Sequence, residues 1–100
     1  SGSWGPWITT ADEIKDPATM SLTTHVNGQQ MQSTTADQMI YSIAAQISYA
    51  SHLYNLHPGD IIATGSPDGT GGSRTPKRYL QEGDQLQIAV SGIGSLQNDI

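Results

Sequence analysis

The chain has 100 residues, 35% of them hydrophobic and 13% charged, with nine acids against four bases for a formal net charge of −5. That length holds one domain or part of one, and the acidic balance argues against a nucleic-acid or anionic-membrane footprint. Cysteine is absent, which removes disulfides and thiolate metal sites and leaves the cytoplasm as the default compartment; no apolar run approaches the ~20 residues of a membrane span.

The charged fraction is about half the usual ~25%, and Ser, Thr and Gln supply the polar cover instead, a surface suited to association with further protein. Ser1-Gly2-Ser3, without an initiator Met, reads as a processed end or an excised piece. Trp4-Gly5-Pro6-Trp7-Ile8 sets two aromatics around a turn, where packing explains them better than ligand stacking. Thr10-Ala11-Asp12-Glu13 has capping-box spacing, but Asp16-Pro17 limits the helix to about one turn.

Leu22-Thr23-Thr24-His25-Val26 alternates, with Leu22, Thr24 and Val26 on one face, and Asn27-Gly28 is a strong hairpin signal, so residues 29–33 form the returning strand. His25 falls on the other face with no acid or second His at metal spacing. Thr35-Ala36-Asp37-Gln38 is a second capping box, and Ile40, Ile43, Ala44, Ile47, Ala50, Ser51 and Tyr54 recur at three- and four-residue steps. The expectation is one long helix over about 36–53, packed on the sheet by that stripe. His52 and His57 lie five apart, which does not place two imidazoles on one helix face for zinc.

Leu56-His57-Pro58-Gly59-Asp60 is a turn that should feed a short strand at Ile61-Ile62-Ala63, covered on both faces and ending inside the protein. Thr64-Gly65-Ser66-Pro67 follows. Two hydroxyls and a side-chain-free backbone at a strand exit suit contact with a carboxylate or phosphate; an ordinary loop has the same composition. Residues 68–78 are glycine-rich and carry Arg74, Lys77 and Arg78, which read either as a solvated mobile loop or as partners for an anion. The third glycine of a dinucleotide motif and any Gly-Lys-Ser/Thr are missing. Leu80-Gln81-Glu82-Gly83-Asp84 echoes the turn at 56–60 and precedes an alternating strand over 85–90 with Leu86, Ile88 and Val90 inward. Gly92-Ile93-Gly94 then bends the chain into a last strand over 96–100.

The order Gly5-Pro6-Trp7-Ile8, Val26-Asn27-Gly28, Thr35-Ala36-Asp37-Gln38-Met39-Ile40, Pro58-Gly59-Asp60, Thr64-Gly65-Ser66-Pro67, Leu80-Gln81-Glu82-Gly83-Asp84 and Gly92-Ile93-Gly94 resembles the C-terminal part of the fumarylacetoacetate hydrolase family's catalytic domain, over nearly all of residues 1–100. The resemblance implies an α+β, mostly β fold, a mixed β-roll or sandwich carrying the one helix. It also implies a divalent cation, Mg²⁺ or else Mn²⁺ or Ca²⁺, that polarises the keto oxygen of a keto or diketo acid during C–C bond hydrolysis, decarboxylation or isomerisation. The family's metal ligands, a Glu-x-Glu pair and an Asp, precede the Gly-Pro-Trp motif and have no match here, and its substrate-contacting Lys just before that motif is replaced by Ser1 to Trp4. The resemblance therefore assigns no catalytic residue and no metal ligand to this chain, and gives it substrate contacts at Ser66 first, then Gly65 and Thr64. A homodimer, or completion by the absent N-terminal half, is the implied partnership, with no nucleic acid and no membrane. The alternative is a non-catalytic folding or dimerisation module that keeps the roll without the metal site.

Overall fold

The computed structural model describes residues 2–100; Ser1, part of the suggested processed or excised end, lies outside them. Four strands form one antiparallel sheet in the order β2-β1-β3-β4, with β1 at Ser21–Val26, β2 at Gln29–Thr35, β3 at Gln85–Val90 and β4 at Gly94–Asp99. The α+β, mostly β class stands, and every strand pair within this chain is antiparallel. Asn27 and Gly28 take φ of 51° and 77°, the two-residue turn that matches strand twist, so the hairpin closes where the Asn-Gly pair placed it.

Register sorts the side chains. Leu22 faces Val90, Thr24 faces Ile88 and Val26 faces Leu86, so these six share one face, which Gln32 and Thr34 join opposite Thr24 and Leu22. Thr23, His25, Gln87 and Ala89 take the other. Thr24 and Val26, in the middle of the first face, are buried. Between Thr24 and His25 the pairing slips by one: Thr24 opposes Gln32 while His25 opposes Gln30. Met31 is thus the extra residue of a bulge, which leaves its backbone outside the regular ladder.

The helix is shorter than the sequence indicated. It runs Ile43–Leu53, not from residue 36, with Ser42 as its N-cap accepting from the Ala45 N–H at 3.2 Å. The capping box at Thr35 does not form; residues Ala36–Gln38 make a single 3-10 turn, and the Thr35 hydroxyl bonds to the Asp37 carboxylate instead of to the backbone. Thr35 donates its hydroxyl proton to Asp37, a local side-chain bond that competes with helix capping, and its Oγ1 accepts no backbone N–H. The expected inward stripe also fails within this chain: no helix residue is buried, and Ile40, Ile47 and Tyr54 are exposed. No helix among the described residues is long and apolar enough to cross a membrane.

The two echoing turns fold alike. Asp60 accepts from the His57 N–H at 2.7 Å, and Asp84 accepts from the Gln81 N–H at 2.8 Å. Their sequels differ. After Asp84 the chain enters β3, whereas residues 61–63 form no strand, and Ile61 and Ile62 are exposed rather than covered on both faces. A strand needs a neighbouring backbone as well as β-forming residues, and no other described segment lies alongside this one to pair with it.

Asp84 is the polar joint of the sheet's turn end. Its carboxylate also accepts from Asn27 Nδ2 at 2.8 Å and from Arg78 Nη2 at 2.8 and 2.9 Å, while Asn27 Oδ1 takes the Gln85 N–H at 2.9 Å. The hairpin tip, the β3 entrance and the end of the glycine-rich loop are thereby joined at the carboxylate of one buried residue. The Gln81 N–H, then Asn27, then Arg78 hold this carboxyl below its ordinary value of 3.8. A lowered folded-state pKa means the stabilisation is fully present above that ordinary value and is lost as pH falls through the lowered one. In the full-length protein, Asp84→Asn is therefore expected to lower Tm at pH 7 and to flatten its decline below pH ~4. Thermal melts across that range check this, and equal acid sensitivity in both proteins would contradict it.

Candidate functional site

Thr64, Gly65, Ser66 and Pro67 stand together on the lip of a hollow of about 620 Å³. Leu22 and Val90 of the sheet face also line it, with Met39 ahead of the helix and Ile43 at the helix's first position. The structure thus brings the three sequence-predicted contact residues to one edge of one cavity. Thr64, Gly65 and Ser66 are all exposed. Gly65 has φ of 108°, a backbone state in which an L side chain is strained, so glycine is required there by conformation, independently of any ligand. No turn or loop backbone hydrogen bond among the described residues involves residues 61–66. The donors of this turn are consequently free to meet something else.

The cationic loop is resolved differently from either sequence reading. Arg74 is half-buried, its Nε 3.1 Å from the Gly69 carbonyl and its Nη2 on the Met31 carbonyl. Arg78 is held by Asp84 and by the Tyr79 carbonyl. Both guanidinium groups are structural ties, which removes two of the three cations proposed for an anion; Lys77 remains exposed.

Sequence reasoning missed Gln32. Its Nε2 donates to the Pro67 carbonyl at 3.0 Å, so β2 holds the exit of the Thr64-Gly65-Ser66 turn. Strict alternation after the hairpin turn places Met31 on the face shared with Thr24. The bulge exchanges it for Gln32, and no residue pattern announces that bulge.

The acids do not assemble into a cation site. Among the described residues no three His, Asp or Glu side chains converge, and Asp16, Asp37, Asp60 and Asp84 each engage a neighbouring donor. A divalent cation needs several converging oxygens, so this donor set does not fit one.

An antiparallel, mostly β chain with one helix and a hydroxyl-and-glycine turn on the lip of an apolar hollow defines the structural class. The comparisons then place it: the profile "Fumarylacetoacetate (FAA) hydrolase C-terminal" matches residues 1–100, and the chain belongs to the fumarylacetoacetate hydrolase family. It is 36% identical over 97 residues to 2,4-didehydro-3-deoxy-L-rhamnonate hydrolase of Sphingomonas sp., covering 96% of this chain and 34% of that protein. The fumarylacetoacetate hydrolase of psychrophilic Exiguobacterium antarcticum superposes with a TM-score of 0.93 at 39% identity, over 97% of this chain and 35% of that one. Maleylpyruvate hydrolase of Sphingobium sp. SYK-6, in complex with manganese(II) and pyruvate, gives 0.86 at 38% identity, over 95% of this chain and 33% of that one. The chain spans about a third of the length of the relatives it matches.

Proposed function

We propose that the protein to which this chain contributes is a divalent-metal-dependent enzyme acting on a keto or diketo acid by C–C bond hydrolysis, decarboxylation or isomerisation, and that Ser66, Gly65 and Thr64 are its substrate contacts. The observation that supports this is the turn itself: the three residues singled out by the family resemblance line one cavity, exposed and without turn or loop backbone hydrogen bonds among the described residues. Ser66 Oγ donates to a carboxylate or keto oxygen of the substrate, Gly65 lets that oxygen approach the main chain, and Thr64 shapes the lip. The cation, Mg²⁺ or Mn²⁺, takes its ligands from outside these 100 residues, since no three His, Asp or Glu side chains converge among the described residues. When bound, it supplies electrophilic polarisation of the keto group. Exposed Trp4, Tyr41 and Tyr49 leave surface for further chain or for a second subunit.

Calorimetric titration of pyruvate into the full-length protein tests the reading. Saturable binding is expected in the presence of Mn²⁺ and is expected to disappear when the ion is chelated. A folded, Mn²⁺-supplemented protein that takes up no pyruvate would overturn it in favour of a non-catalytic module.

A further inference from the structure

We propose that Gln32 and Arg74 are positioning residues for the Thr64-Gly65-Ser66 turn, fixing its exit onto the bulge of β2. The role rests on the substrate contact proposed for that turn, and its geometry stands apart from that contact. Residues 61–66 make no loop backbone hydrogen bonds among the described residues, so the turn is held from downstream.

Three bonds do this. Gln32 Nε2 holds the Pro67 carbonyl at 3.0 Å, Arg74 Nε holds the Gly69 carbonyl at 3.1 Å, and Arg74 Nη2 reaches the Met31 carbonyl on β2. The bulge makes the last one available, because Met31 is the residue without a partner across the strand. The approach is close: a Cβ on Gly69 would stand 2.3 Å from the Met31 carbonyl oxygen, so only glycine permits it. The anchor is also stiff. The pyrrolidine ring sets φ of Pro67, and the residue before a proline is confined to extended conformations. Fixing the Pro67 carbonyl therefore restricts the Ser66 backbone one peptide away, and with it the direction of the Ser66 hydroxyl. Arg74, flanked by two carbonyls and half-buried, serves the turn as a clamp rather than as an anion receptor. A planar fork is needed for that, which an ammonium group does not supply.

The test uses the full-length, Mn²⁺-loaded protein with pyruvate as the probe. Gln32→Met keeps side-chain length and removes the donor; Gln32→Lys restores an N–H donor; Arg74→Lys keeps the charge and loses the fork. Gln32→Met and Arg74→Lys are each expected to raise the pyruvate Kd about three- to tenfold, the scale of one lost hydrogen bond, and to speed amide exchange over residues 65–69. Mn²⁺ affinity should stay at the wild-type value, and Gln32→Lys should recover most of the pyruvate affinity. Unchanged pyruvate affinity in Gln32→Met overturns the proposal, as does a loss of Mn²⁺ affinity by the same factor, which would show general damage. If wild type itself takes up no pyruvate, the substrate reading falls by that result. Exchange over 65–69 then decides the anchor alone, faster exchange in Gln32→Met supporting it and unchanged exchange refuting it.

Discussion

Ser66→Ala in the full-length protein is expected to lower kcat/KM about ten- to a hundredfold while leaving Tm unchanged, because the hydrogen bond proposed from Ser66 Oγ to a charged substrate oxygen would contribute on the order of 1.5–3 kcal/mol. The side chain is exposed on the cavity lip, so its removal opens no hole in packed structure. Ser66→Thr keeps the hydroxyl and is expected to retain activity. Gly65→Val should be more damaging than either. Its φ of 108° lies where a β-branched residue is strained, and relaxing that strain turns the Ser66 hydroxyl away from the cavity as well as closing the main chain to the substrate. Wild-type kinetics for Ser66→Ala alongside an unchanged melting temperature would take Ser66 out of the site and leave the turn as architecture.

The isolated 100-residue chain is expected not to unfold cooperatively. Among the described residues Val26 is the one buried apolar residue, with Thr24 and Asp84 the buried polar ones. Ile8, Ile40, Ile61, Leu53 and Tyr49 lie between 58% and 94% exposed. Folding must offset a conformational entropy cost of roughly 1–2 kcal/mol per residue for the backbone alone, and apolar burial returns only about 25 cal/mol per Å². A single sheet with one face largely uncovered does not meet that cost. The chain spans about a third of its relatives' length, and the same apolar groups are expected to be covered in a protein of the relatives' length. Calorimetry and dye binding discriminate the cases. A sharp two-state transition without dye binding by residues 1–100 alone would show that these residues are self-sufficient; a broad profile with dye binding, replaced by one sharp transition in the full-length protein, is the expected result.

What could be read directly from residues was what is decided within a few neighbours. Asn27-Gly28 set the hairpin because positive φ at two successive positions selects the turn. The alternation of Leu22, Thr24 and Val26 and of Leu86, Ile88 and Val90 set which faces meet. The Leu-x-x-Gly-Asp echo set two turns with the same carboxylate-to-backbone bond. Thr64, Gly65 and Ser66 were legible as site candidates through the family resemblance, since hydroxyls beside a glycine also compose an ordinary loop.

Tertiary structure decided whatever depends on a partner distant in sequence. Asp60 and Asp84 introduce similar segments, yet only the second becomes a strand, because β1 and β4 flank it and nothing described flanks residues 61–63. The helix begins at Ile43 because Thr35 bonds to Asp37 and Ser42 caps instead, a contest between acceptors that spacing alone does not rank. The bulge at Met31 placed Gln32 under the candidate site and gave Arg74 its carbonyl, turning an apparently solvated cation into a tie. Local dihedral preference settles turns. Pairing, register slips and the fate of a charge are settled by which backbone and which acceptor arrive from elsewhere in the chain.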